Sequence, residues 1–428
     1  MRVVHLAAGA GSMYCGACAR DALIARGLIR RGHDVTVMPL YTPLRVEGDG
    51  SLPTTSVYLG GVNAYLQHRF PLYRRAPRAL TRWMDHPSLL RFASRFAVST
   101  NPRDLGPLTV STLRGADGPL GPEFERLIAF IEGFAQPDVV SITNSLLAAA
   151  APVVRSRLGV PVVCSLQGEE SFVGALPEPY RGEAMQLIRR NAASVDLFLS
   201  PGVAYRAMMR EFLDVDEERI TVVRPGVDTT AYTPSGNGPS MGPIIGHLSS
   251  ILPAKGLALL VRAFRQLADS HGSAVRLRVA GRALDRRYAE GVWGAVRSDG
   301  LAERVEYLGE LPTAKKAGFL RSCTLFCLPS LIAESRAQAA LEALACGVPV
   351  VVPDAGVFPE LIELTAGGLL FRQGDADSLA EALSRLLDDP DEARAMGRRG
   401  RLGVERHFCA ERMVADVEAA LAKASSAR

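Results

Sequence analysis

Short apolar runs alternate with amphipathic stretches along most of the chain. Near the start, RVVHLAA (2–8) reads as a buried strand, residues 17–31 carry apolar positions at helical spacing, and DVTVMPL (34–40) reads as a second strand. RRGH closes the intervening helix with basic residues and a glycine stop. The rhythm returns in PDVVSIT (137–143), a helix through 145–157, VPVVCSLQ (160–167), a helix near 179–193, VDLFLSPG (195–202), a helix near 203–213 and ITVVRPGVD (220–228). Strands apolar on both faces, with helices between them, predict a parallel sheet covered on both sides.

TTAYTPSGNGPSMGP (229–243) breaks the rhythm and reads as a linker. The alternation then restarts: IIGHLS (244–249), a helix over 256–269, VRLRVAG (275–281), a helix near 286–299, VEYLGEL (305–311), a helix over 313–321, TLFCLPS (324–330), a helix near 336–345, VPVVVPD (348–354) and GGLLF (367–371). DADSLAEALSRLL opens with capping aspartates, and a last helix covers about 410–424. The fold class expected is α/β with two doubly wound, Rossmann-like domains. Their bounds are placed at 1–232 and 244–408, joined by 233–243, with a helix at 409–428 packing back on the first domain. Ligands of such sheets bind at the carboxyl ends of the strands, here in a cleft between the domains.

Length agrees, since 428 residues exceed one ordinary core. A formal net charge of +4 gives no reason to expect nucleic acid as a partner. Seven scattered cysteines fit a reduced, cytoplasmic protein better than a disulfide framework. VVSITNSLLAAAAPVV (139–154) comes nearest to a membrane span, but polar residues and proline break it, and the N-terminus is too short for a secretory leader. One region fits neither domain. Within an insertion at about 60–115, residues 66–95 hold seven arginines and one aspartate, interleaved with aromatics and prolines. Two readings stand: a solvated subdomain, or a surface for an anionic acceptor or a peripheral contact with anionic lipid.

MYCGACARD places Cys15 and Cys18 at the spacing of a redox dithiol. The alternatives are loop-shaping thiols and a metal site, though no second Cys or His pair stands at zinc-like spacing. The carboxyl-terminal half is more informative. In LPSLIAESRAQAALEALACGVPVV a strand runs into a loop with Glu334, and a helix carries Glu342 eight residues later. Such a pair arises by chance roughly once in a chain this long, so its setting matters more than its spacing. Glu334 follows a strand's carboxyl end, and the helix start beside it offers free N–H groups suited to a phosphate.

With these stretches, RRGHDVTV, ITVVRPGVD, GHLSSILPAKGLALLVRAF, VEYLGEL and ESRAQAALEALACGVPVV, the chain resembles the retaining family-4 glycosyltransferases of the GT-B architecture, over nearly its whole length. MYCGACARD, LLRFASRFAVST and LQGEESF resemble one bacterial subgroup, in which the cysteines belong to the loop after the first strand. The resemblance implies a nucleotide-diphosphate sugar as donor, UDP before GDP, with no cofactor, no metal and no protein nucleophile. A hexose-like unit would pass by same-face attack to an acceptor: a glycan, a lipid-linked or a small molecule. It gives Lys255 the diphosphate, Glu342 the ribose hydroxyls, and Glu334 a donor-sugar hydroxyl facing the oxocarbenium-like centre. Leu308, Gly309, Gly281 and Arg282 border the base, and Gly9, Gly11 and Gln167 line the first domain's side. Asp214-Val-Asp216 spells the metal signature of another transferase fold but reads as a helix-end turn.

Three positions depart from the family pattern. Ser250 stands where an arginine precedes the lysine, Ser335-Arg336-Ala337 replaces Gly-aromatic-Gly, and Gln167 replaces a histidine. Arg336 is expected to supply the positive charge missing at Ser250, beside the same helix start. The departures also motivate a second function class, a weakened nucleotide-sugar-binding subunit. A third is a different enzyme, such as an epimerase or a dithiol protein.

Overall fold

The computed structural model describes residues 1–9, 16–40, 102–234, 242–271 and 275–426. It divides into two units, Met1–Val223 with Met413–Arg428, and Arg224–Arg412. The Arg-rich stretch 66–95, Gly11, Cys15 and linker residues 235–241 lie outside the described residues.

Unit 1 holds β1 (Arg2–Ala7), β2 (Asp34–Pro39), β3 (Val139–Ile142), β4 (Val162–Ser165), β5 (Leu197–Ser200) and β6 (Ile220–Val222). They form one parallel sheet in the order β2-β1-β3-β4-β5-β6. Successive side chains of a strand point to opposite faces, and both faces here are apolar. Val3, Val35, Val139 and Val163 pack on one side, Val4, Leu6, Val140 and Ile142 on the other. The helix Ala410–Ser426 covers the first side through Met413, Val414, Val417 and Leu421. Glu418 fixes its docking by accepting from Arg31 Nε at 2.6 Å and lying 2.6 Å from His33 Nε2. Residues 145–157 are not one continuous α-helix. A 3₁₀ segment, Ser145–Ala150, leads into the helix Ala151–Arg157, because Pro152 has no N–H to extend the α-pattern backwards.

Unit 2 holds β7 (Ile244–Leu248), β8 (Arg276–Ala280), β9 (Val305–Tyr307), β10 (Leu325–Cys327), β11 (Val350–Pro353) and β12 (Gly368–Phe371). The order is β12-β11-β10-β7-β8-β9, again parallel. The chain winds outward from β7 through β8 to β9, then restarts at β10 on the other side of β7. Such a reversal, at the carboxyl ends of β7 and β10, is where sheets of this kind take their ligands. Residues 224–232 belong to this unit. Val227 bridges to Cys409, Tyr232 packs in the unit's core, and Arg224 Nη2 lies 2.7 Å from Glu360 Oε1. Among the described residues no helix is long and apolar enough to cross a membrane.

Candidate active site

The two strands flanking the reversal in unit 2 each lead to one of the charged residues singled out from the sequence. After β7 the chain turns through Ser249 and Ser250 into a 3₁₀ turn, Pro253–Lys255, that ends at Gly256. After β10 it runs through Pro329 and Ser330 to Glu334. The two loops touch: Leu331 N donates to Ala254 O at 2.9 Å. Gly256 lets them approach, because its φ is +73° and an added Cβ would collide with the Pro329 carbonyl. Lys255 Nζ consequently pairs with Glu334 Oε1, each side chain about a quarter exposed (25% and 22%). Ser330 Oγ, buried, donates to the same carboxylate oxygen at 2.6 Å.

Beside this pair lie the segments expected to hold a base. Gly281 N donates to Gly309 O at 2.8 Å, and Leu308 N to Val279 O at 2.9 Å. Tyr307, its ring tilted against Trp293 at 4.9 Å between centroids, donates through its hydroxyl to Gly281 O at 2.8 Å. Arg282 is exposed at the rim, Ser250 is half-buried, and Ser335 is buried. Arg336 is half-buried one residue before Ala337, which precedes the helix Gln338–Ala345. Ala337 has φ +51°, so this loop keeps the left-handed backbone that a glycine adopts freely, even though alanine stands there.

Glu342 differs from Glu334 in setting. It is buried and shares none of Glu334's partners. Gln338 Nε2 lies 3.3 Å from its Oε1, and Tyr232 also bonds the carboxyl. Burial pushes its pKa up, against the pull of Lys316, Gln338 and Tyr232.

His247, in the middle of the apolar run of β7, is fully buried. Its Nδ1 lies 3.0 Å from Cys327 O, so Nδ1 carries the proton and Nε2 is a bare lone pair, without a hydrogen-bond partner among the described residues. Burial above all, with the Lys255 charge adding to it, drives its pKa down to about 4. The unfolded chain therefore binds a proton near pH 6.5 that the folded chain refuses until about pH 4. Stability should fall by about 3 kcal/mol as pH drops through that window and be insensitive to this group below it. Urea melts of the wild type and of His247→Gln from pH 7 to 4 measure it; the variant should lack that share of the slope.

Unit 1 presents a buried polar chain at its own reversal, between β1 and β3. His5 Nδ1 lies 3.1 Å from Ser141 Oγ, and its Nε2 lies 3.5 Å from Asp21 Oδ2. Thr143 Oγ1 donates to Asp21 Oδ2 at 2.6 Å, and Gln167 Nε2 donates to Thr143 O and Oγ1 at 2.6 and 2.9 Å. Burial pushes the Asp21 carboxyl up, but His5, Arg20 and Thr143 together outweigh it and hold it below the usual range. Glu169, also buried, accepts from Ser145 N at 2.8 Å and from Gln167 N at 2.5 Å. Gln167 is thus fixed on both sides, by Thr143 through its amide and by Glu169 through its backbone.

Residues 228–403 match the family described as Glycosyl transferases group 1, and residues 113–231 match Glycosyltransferase Family 4. Residues 228–403 belong to the group 1 glycosyltransferases. Among curated relatives, D-inositol 3-phosphate glycosyltransferase of Nocardia farcinica is 29% identical over 58% of this chain and 58% of its own length. Alpha-maltose-1-phosphate synthase of Mycolicibacterium smegmatis is 34% identical over 45% of this chain and 54% of its own. The chain thus spans little more than half the length of these two relatives. Among solved structures, sucrose-phosphate synthase from Thermosynechococcus elongatus aligns over both whole chains with a TM-score of 0.74 at 17% identity. Anabaena HepE in complex with UDP aligns over 99% of this chain and 100% of its own, at 0.68 and 18%. These neighbours establish the GT-B fold.

The remaining sequence candidates lie in unit 1. Gly9 follows β1 with φ +79°, and Cys18 is buried in the first turn of the helix Gly16–Arg30. Asp214 ends the helix Val203–Leu213 in left-handed conformation and Asp216 precedes a 3₁₀ turn, so the D-x-D is a helix-end turn. Among the described residues, no group of three or more His, Cys, Asp or Glu side chains converges as a metal site. Sequence reasoning missed Ser330, His247, His5, Asp21 and Thr143. Three of them left a trace: His5 and His247 interrupt apolar strands, and Ser330 closes one.

Proposed function

We propose that the chain transfers a sugar from a nucleotide-diphosphate sugar, held by unit 2, to an acceptor hydroxyl with retention and without a metal. The observation carrying this reading is the convergence of Lys255 and Glu334 at the strand reversal of unit 2, within a fold whose solved examples include one bound to UDP. Lys255 would neutralise the diphosphate as the glycosidic C–O bond breaks and its electron pair passes to the phosphate oxygen. That oxygen would take the proton of the acceptor hydroxyl as the new bond forms on the same face. Glu334, steadied by Ser330, would accept a hydrogen bond from a donor-sugar hydroxyl. Glu342 would take the ribose and the 281–282 and 308–309 segments the base. UDP-sugars are the first donors to try; a relative from Corynebacterium glutamicum is described as GDP-mannose-dependent, so GDP-sugars come next.

The weakened-subunit reading rests on Ser250 and the 335–337 replacement. The positive φ of Ala337 argues against it, because the backbone there has the left-handed form that the expected glycine would adopt freely. A thermal-shift screen over UDP, GDP and ADP and their glucose and mannose derivatives tests the proposal. A true ligand at a hundred times its dissociation constant adds about 2.7 kcal/mol to the folded state. Stabilisation by one nucleotide series, followed by sugar release from its donor, is the expected result. A flat response to all of them removes the function.

A further inference from the structure

The residue expected to grip the donor's diphosphate is already engaged. Lys255 Nζ is paired with Glu334, and Ser330 Oγ holds the carboxylate oxygen that takes the ammonium. A diphosphate arriving at Lys255 competes with that carboxylate and meets it as a neighbouring like charge. We infer that Glu334 is an internal occupant of the diphosphate site, and that donor binding proceeds by exchange: Lys255 leaves Glu334 for the diphosphate, and Ser330 alone keeps the carboxylate in place. The inference rests on the function proposed above and adds a regulatory consequence. Glu334 Oε1 loses its cation only when a diphosphate has arrived, so the carboxylate becomes available to a sugar hydroxyl in the same step that seats the leaving group.

Three observations support exchange over a permanent pair. Both side chains are partly exposed, so parting them leaves neither charge stranded in an apolar interior. Ser330 is buried and bonded to Glu334 independently of Lys255, which gives the carboxylate a second anchor. The lysine sits on a turn ending at a left-handed glycine, within a loop tied to the neighbouring one through backbone groups. The ammonium can therefore change partner by side-chain rotation alone.

The consequence runs against intuition: a variant disabled in transfer should hold the leaving group more tightly. Glu334→Gln preserves shape and still accepts from Ser330, but removes the negative charge that holds Lys255. Its affinity for UDP or GDP, measured calorimetrically on the full chain, should rise about fivefold, the upper range for a partly exposed ion pair. Removal of a repelling carboxylate would also tighten binding, so the decisive measurement is a double-mutant cycle with Lys255→Met. Under exchange, Glu334→Gln gains nothing in the Lys255→Met background. Tightening of the same size in both backgrounds, or no tightening in the wild-type background, overturns the exchange and leaves the nucleotide site standing. Failure of the wild type to bind either diphosphate overturns the proposed function, and the exchange with it.

Discussion

Lys255→Ala is expected to lower kcat/KM for sugar release by about 10²–10³, the loss that follows removal of one preorganised group from a developing charge. Nucleoside-diphosphate affinity should fall as well, because the ammonium acts on the bound diphosphate and not only on the transition state. The effect is large because Lys255 sits where β7 delivers it, beside a carboxylate that would then face the diphosphate unopposed. Arg336→Ala provides the contrast. If Arg336 takes over the charge absent at Ser250, its removal should cost about tenfold or more in diphosphate affinity, as loss of a charge-assisted contact does. Calorimetry on both variants decides. An unchanged affinity in Arg336→Ala beside a loss in Lys255→Ala would take Arg336 out of the diphosphate site.

Gly256→Ala should be among the most damaging small substitutions in unit 2. Its backbone is left-handed, and the added Cβ would meet the carbonyl of Pro329 rather than a side chain that could move aside. Left-handed strain accounts for about 1–2 kcal/mol, and displacing a backbone carbonyl brings the total to about 3–4. A unit of this size should then melt roughly 6–16 °C lower. The same displacement separates the Lys255 loop from the Glu334 loop, so nucleotide binding should weaken in whatever protein remains folded. Calorimetric melting of the variant with and without UDP measures both effects. A melting temperature within a degree of the wild type would show that the loops are not held together here.

Much of this architecture was legible because buried parallel strands are written as uninterrupted apolar runs. Val139–Ile142, Val162–Ser165 and Val350–Pro353 are buried throughout and fall within the runs read as strands. Glu334 stood out because it follows a strand's carboxyl end, where sheets of this kind take their ligands. Its pairing with Lys255 was not legible, since the two residues are 79 positions apart and meet only through the order of strands in the sheet. Glu334 and Glu342, eight residues apart, stood out together in the sequence, yet one carboxylate is partly exposed and the other buried. Spacing fixes a direction around the helix axis, whereas burial depends on what Tyr232 and Lys316 bring from elsewhere. His5 and Asp21 were hidden for a related reason: a polar residue within an apolar run signals a partner without saying which. The stretch 224–232 was assigned by its place before a Gly/Pro/Ser-rich segment, but its packing is set by Tyr232 and Val227, whose partners come from later in the chain.

The helix Ala410–Ser426 supplies one wall of unit 1, with Val414 lodged against Gly27. That wall reaches the ribosome's exit only after the whole of Arg224–Arg412 has been made. During synthesis, Val3, Val35, Val139 and Val163 must wait with that side of their sheet only partly covered, by the helix Gly16–Arg30, while the other unit assembles. Nascent chains paused between the two halves are where a chaperone that reads apolar surface would find this protein.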